Sequence, residues 1–433
     1  MPSLLSLLHP LSLSLLSVAP AAPAFEVRPI APVQATDASV RQWDKPPHRH
    51  TVYLNFDGAT LTEGPNAAEG EASCIINGVF EYPPFSGTEV QRLAMVDVFA
   101  AAVAPFGIRV VHEAPPPRHL PYSMIMMGGL PSLFGPGGAS SAACSIDCGD
   151  SWWRETGFVF ANQWPEETIY YGQAAIKVAG HHWGLDVLEN GEAYMSGFTS
   201  SQPRSWSDGC EFVDDGFAPP QCTHVHEEFC GEGSGRQDDV AELMAMFGAN
   251  SVDEVAPTVQ LLAPSDGIEL TPGQEFTVEV DVSDNFDGAG WKLMIPEVGQ
   301  EVPAYQRETK WVLKPPAGVY TIRVEALDHD GNIGFDEVTI HVGVAPEPED
   351  TTTGEPESTT DAPTTGGAAT ETSGDEPEAT ADDASTDGAT AGGSTPDDDA
   401  QGCACTADEA PGDAAPGLLL VLALWLRRRA SPA

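Results

Sequence analysis

Ala179-Gly180-His181-His182-Trp183-Gly184-Leu185-Asp186 is the stretch on which the fold of this chain turns. The residues before it, from about 166 to 183, have the pattern of a helix. Gly184 then supplies the residue that lets a chain leave a helix at positive φ. His181 and His182 would project about 100° apart on that helix, so the two do not easily chelate one ion. Upstream, residues 51–56 alternate and end at Asp57-Gly58, as a strand does. Ser86 and Glu89 are spaced as a capping box. Leu93, Val96, Phe99, Ala100 and Val103 then recur at helical spacing until Pro105 and Gly107. Residues 108–111, 122–127 and 158–160 complete a strand set. Downstream, Val240, Leu243, Met244 and Phe247 mark a last helix over 236–247. The expectation is one α+β domain over residues 48–250.

This order resembles metzincin-type zinc metallopeptidases, and the decisive stretch resembles their active-site helix, with the pattern HExxHxxGxxH. His181 matches the second histidine and Gly184 the glycine. Met195, in Glu192-Ala-Tyr-Met-Ser-Gly197, stands where the Met-turn belongs. The resemblance covers roughly residues 50–250 in layout, and its motif only this short stretch. It implies a zinc held by three histidines, with a glutamate as general base. Here the first histidine position is Lys177, the glutamate position Val178 and the third histidine position Val187. An ammonium group is no zinc ligand at neutral pH, and valine has no lone pair. One histidine cannot hold a catalytic zinc. The expectation is a metzincin-like scaffold without its reaction, in which Lys177 partly replaces the charge of the metal.

His224 and His226 form an H-x-H. If that segment is extended, both project to one side and, with Glu227 or Glu228, make a different metal site. The plainer reading is a disulfide-tied loop with exposed histidines. Cys74, Cys144, Cys148, Cys210, Cys222 and Cys230 are an even set, expected as three disulfides in an oxidising compartment, with fifteen pairings open. Cys144 with Cys148, and two of the last three together, are the local options.

Residues 255–344 alternate apolar and polar positions in runs at 258–262, 276–282, 318–326 and 337–342, each bounded by Pro, Gly, Asp or Asn. That is the pattern of an all-β sandwich. The unit resembles bacterial Ig-like domains, including the 326–332 turn, and Tyr320 stands where a tyrosine corner would sit. Asp284, Asp287, Asp328 and Asp330 offer oxygen ligands for calcium, or else shape turns. No cofactor is expected; zinc in the first domain and calcium in the second are the alternatives.

The remaining segments concern export. Residues 1–24 are apolar and end Ala22-Pro23-Ala24, an A-x-A signature of a signal peptide. Residues 345–402 are an acidic Thr/Asp/Glu/Gly run without Lys, Arg or aromatics, expected as a disordered stalk. Residues 403–433 hold Cys403 and Cys405, an apolar run too short for an ordinary span, and Arg427, Arg428 and Arg429. This tail resembles the MYXO-CTERM sorting signal of myxobacterial surface proteins. It implies retention at the cell surface, with the membrane as a partner. A formal charge of -46 on 433 residues excludes nucleic acid as a partner. The expected function is a surface-anchored, non-catalytic binding or adhesion protein with an extracellular protein or peptide ligand. A zinc endopeptidase with an atypical ligand set and a structural surface-layer component are the alternatives.

Overall fold

The His50–Asn55 strand is buried along its whole length. Val52 and Leu54 face a cluster built with two long helices. Tyr53 faces a second cluster with Tyr82, Tyr122, Met124 and Phe158. Such two-sided burial is characteristic of parallel sheets. The computed structural model describes residues 25–31, 47–64, 67–134, 140–144, 146–150, 153–216 and 219–343. Its first sheet runs Ile108–Val111, His50–Asn55, Ser123–Met127, Thr156–Val159, Ser141–Ala142. The first four strands are parallel and the last is an antiparallel edge.

Helices α1 (Glu89–Val103) and α2 (Thr168–His182) pack together on one face of this sheet. A small sheet of Ala59–Glu63, Ala72–Ser73 and Val79–Tyr82 adds to the core on the other. The capping box of α1 lies two residues beyond Ser86 and Glu89. Thr88 accepts from the Gln91 backbone N–H at 3.3 Å, and Gln91 Oε1 accepts from Thr88 N–H at 2.7 Å. Thr-x-x-Gln makes the same reciprocal closure. Helices α3 (Thr223–Cys230) and α4 (Asp239–Phe247) follow. Helix α4 starts three residues later than the periodicity suggested, because Asp238 caps it and Arg236–Gln237 pairs with Glu211–Phe212 instead.

The disulfides are Cys74–Cys144, Cys148–Cys222 and Cys210–Cys230. Cys144 and Cys148 do not pair with each other, so that local option is corrected. The 210–230 link is one of the local options. Three disulfides suit an oxidising, extracellular setting.

The second region is a β-sandwich of a four-stranded and a five-stranded sheet. Its core holds Trp291, Trp311, Leu293 and Ile322. Tyr320 donates its hydroxyl to the Ala317 carbonyl at 3.3 Å, as a tyrosine corner requires. Glu26–Ile30 joins this sandwich as an antiparallel neighbour of Lys310–Lys314, and Phe25 packs edge-on against Tyr320 at 5.0 Å. The sandwich therefore recruits chain from outside 255–344. Arg109 pairs with Asp330 at 2.6 Å, and the Arg49 guanidinium lies 3.7 Å over Phe286. The α+β region and the sandwich form a single compact unit.

The expected signal peptide, the stalk and the tail with Cys403, Cys405, Arg427, Arg428 and Arg429 lie outside the described residues. Among the described residues no helix is long and apolar enough to cross a membrane.

Candidate functional site

Helix α2 is buried on nearly every side between Tyr171 and Gly180. It ends at Trp183, and Gly184 leaves at φ +89°. A side chain there would also strike the backbone of Asp147 and Gly149 at 2.7 Å, so glycine is needed twice over. Met195 is fully buried beneath this end of the helix. A Cβ on Gly180 would lie 2.4 Å from its sulfur. Met195 thus packs directly against the helix one residue before His181.

The ligand positions are filled by packing groups. Lys177 donates its ammonium to the carbonyls of Ser196 at 2.8 Å and Gly197 at 3.1 Å, the two residues after Met195. Burial, and then Arg204, lower its pKa to about 8. Val178 is 1% exposed and Val187 4%. His181 donates Nδ1–H to the Leu185 carbonyl at 2.9 Å. Burial, and then Lys177, push it down to about 4. Among the described residues, no cluster of metal-ligating groups includes His181. The residues present do not fit a catalytic zinc.

His224 and His226 lie on helix α3, not on extended chain. Two positions apart on a helix is about 200°, so they face apart. His224 is exposed. His226 is buried between Asp186 (Nε2 to Oδ2, 3.2 Å) and Glu242 (Nδ1 to Oε2, 2.9 Å). Burial opposes its charge, but hydrogen bonds to the two carboxylates outweigh that and raise it to about 9. The H-x-H is half of a buried ion trio rather than a metal site.

In the sandwich, Asp287 pairs with Arg307 and Asp330 with Arg109. Asp284 and Asp328 gather instead with Asp253, from the connector after α4. Asp328 already accepts from the backbone of Asp330 and Asn332, as a turn-shaping residue does.

The sequence reading missed a cluster at the start of the parallel strands. His48, His50 and Asp150 each offer a ligand atom within 4.8 Å of the others, and so do Asp147, Asp150 and Glu155. His48 Nε2 lies 2.6 Å from Asp150 Oδ2. His50 Nε2 meets the Ser123 hydroxyl at 3.0 Å, and that hydroxyl donates to Glu155 Oε2 at 2.8 Å. Burial, and then His48, keep His50 neutral. Burial, and then Asp150 and Asp147, push Glu155 well above the usual carboxylate range. The available signal was His48-Arg49-His50 itself, another H-x-H, in a segment that is extended.

A pocket lies at the other end of α2, lined by Trp164, Glu166, Glu167, Tyr170 and Ser201. It is about three helical turns from His181.

No family model matches this chain and no curated protein does. Among solved structures it is similar to fibronectin(III)-like modules of Clostridium thermocellum CbhA, at 22% identity over 20% of this chain and 47% of that one, TM-score 0.18. The chain thus spans less than half of that structure. A lipoprotein from Bacteroides thetaiotaomicron is similar at 9% identity over 24% of this chain and 95% of the other, TM-score 0.17. A modular endo-β-1,4-mannanase from Cellulomonas fimi is similar at 11% identity over 59% and 70%, TM-score 0.16. At these scores none of them fixes a fold or an activity for this chain.

Proposed function

We propose that this is an exported, surface-held binding protein whose α+β region is a metzincin-like scaffold without peptidase chemistry. The observation that carries the reading is Lys177. Its ammonium sits at the first histidine position and holds the two carbonyls that follow Met195. A cation that ties the methionine turn to the helix does part of the structural work of a metal and none of the Lewis-acid work. Val178 in the core leaves no base for a water.

The ligand is an extracellular peptide segment carrying cationic side chains. Two aromatic rings, Trp164 and Tyr170, beside Glu166 and Glu167 suit a cation both by charge and by ring face. Two measurements test the proposal. Purified protein is incubated with unfolded casein, with and without added zinc and chelator. No cleavage is expected, and chelator-sensitive cleavage abolished by His181→Ala would overturn the non-catalytic reading. Arg- and Lys-containing peptides, against Glu-containing controls, are titrated by tryptophan fluorescence. Trp164→Ala is expected to weaken binding about tenfold or more. Equal binding of both peptide sets would sink the ligand assignment.

A further inference from the structure

We propose that His48, His50 and Asp150 bind a divalent metal ion of the zinc class, with Asp147 and Glu155 as adjoining carboxylates. This site does not use the His181 side chain, although the Asp147 N–H donates to the His181 carbonyl at 3.1 Å, and it does not rest on the functional reading above.

The donor set points to the ion. Two imidazoles with carboxylate oxygens suit zinc and its first-row neighbours, whereas calcium and magnesium take oxygen alone. Burial points the same way. His48 is 3% exposed, His50 and Asp150 0%, and Glu155 3%. Asp150 and Glu155 place two carboxyl groups in a dry environment, where an ionised oxygen is costly without a cation beside it. His50 Nδ1 and Glu155 Oε1 are buried with no hydrogen-bond partner, which is rare for polar atoms inside a protein.

The scaffold is built as metal sites are built. His48 and His50 stand two apart on extended chain, so both side chains leave on one side. Their strand is fixed by pairing at His50 to Ile108 and by the His48 N–H to the Met246 carbonyl at 3.0 Å. Asp150 is held on the loop that the Cys148–Cys222 disulfide anchors. The Trp153 indole N–H donates to its carbonyl at 2.6 Å. Trp153 then stacks on the His48 ring at 4.7 Å and closes the site. When His50 Nε2–H donates to Ser123, Nδ1 keeps its lone pair. Ser123 then fixes the tautomer of His50 and the direction of Glu155 together, as outer hydrogen-bond partners do around a metal.

The test uses the full chain as it is exported, purified without a metal-affinity tag, incubated with zinc and desalted. Zinc per chain is measured by elemental mass spectrometry and folding by circular dichroism. Bound zinc is expected in the wild type and in His181→Gln and His224→Gln. It is expected to be lost in His50→Gln and Asp150→Asn. A folded wild type that holds no zinc, or zinc that survives in both of the last two variants, overturns the proposal. Should those two variants not fold, X-ray absorption on the zinc-loaded wild type decides it. Two imidazoles with oxygen donors and no sulfur support the site; fewer than two imidazoles sink it.

Discussion

The end of α2 and the start of the His50–Asn55 strand are two ways of placing histidines in this molecule, and they have opposite fates. At the helix end the spacing resembles that of a metal motif, but the ligands of that motif are absent. Lys177, Val178 and Val187 stand in their places, each already committed to packing or to a backbone carbonyl. At the strand start no known motif is present, yet donors from positions 48, 50, 147, 150 and 155 converge. Motif spacing identifies a frame. Ligand chemistry is decided by which side chains long-range folding brings within reach of one another.

The helix end and the strand start cease to differ if the helix end can still be made into a metal site. Val178→Glu places a carboxylate where the general base of the resemblance would stand. The side chain has no room to swing away, because a Cβ on Gly157 would lie 2.2 Å from Val178 Cγ1. An unpaired buried carboxylate of this kind is expected to cost about 4 kcal/mol or more. The urea midpoint of the purified variant measures it. A loss under about 1 kcal/mol would mean that the α2 end is loosely packed. So would zinc uptake by the combined Lys177→His, Val178→Glu, Val187→His chain. Either result would erase the contrast with the strand start.

The second largest effect is expected beside the helix end, at His226. Removing the imidazolium by His226→Asn leaves Asp186 and Glu242 buried without their shared cation, a loss of about 3–5 kcal/mol. His224→Asn, on the exposed side of the same helix, is expected to stay within about 0.5 kcal/mol. The folded protein keeps the His226 proton up to about 9, while the unfolded chain gives it up near the ordinary value of about 6.5. The folded state therefore holds more protons between those values, and stability falls as pH rises through that window. The full change is about 3 kcal/mol by proton linkage. Chemical denaturation at stepped pH checks it. A flat wild-type profile from neutral to pH 9 would return His226 to the status of an ordinary buried imidazole.

Much of the frame was legible because it is local. The strands at 51–56, 108–111 and 122–127, the α2 helix and its Gly184 exit all announce themselves through periodicity and one glycine. The four sandwich strands that alternate cleanly were legible for the same reason. Strands such as Gly290–Ile295 and Lys310–Lys314 were not, because Trp291 and Trp311 sit among lysines and prolines that blur the alternation. The Glu26–Ile30 strand pairs with residues almost three hundred positions away, which no local pattern can show. The two H-x-H pairs make the point chemically. An i, i+2 pair shares a face only on extended chain. Residues 48–50 are extended and residues 224–226 are helical. In the helix, Val225 and His226 are drawn inward while His224 faces out. Neither state is written in three residues, and Asp150 joins His48 across 102 positions.

The smallest effect is expected at Lys177. Lys177→Met keeps the volume and removes two charge-assisted hydrogen bonds, leaving the Ser196 and Gly197 carbonyls short of a donor. The expected loss is about 2 kcal/mol near neutral pH. Its pH signature has the opposite sign to that of His226. Burial lowers the folded ammonium to about 8 against an ordinary value of 10.5. Between those values the unfolded chain holds the extra proton, so stability rises with pH. In the wild type the two slopes overlap between about 8 and 9. Lys177→Met is expected to show only the fall due to His226, and His226→Asn only the rise due to Lys177. Lys177→Met is also expected to keep any metal held by His48, His50 and Asp150, because its ammonium is bonded to the Ser196 and Gly197 carbonyls rather than offered as a ligand. Loss of that metal in a folded Lys177→Met chain would mean that the two regions are one coupled site rather than two.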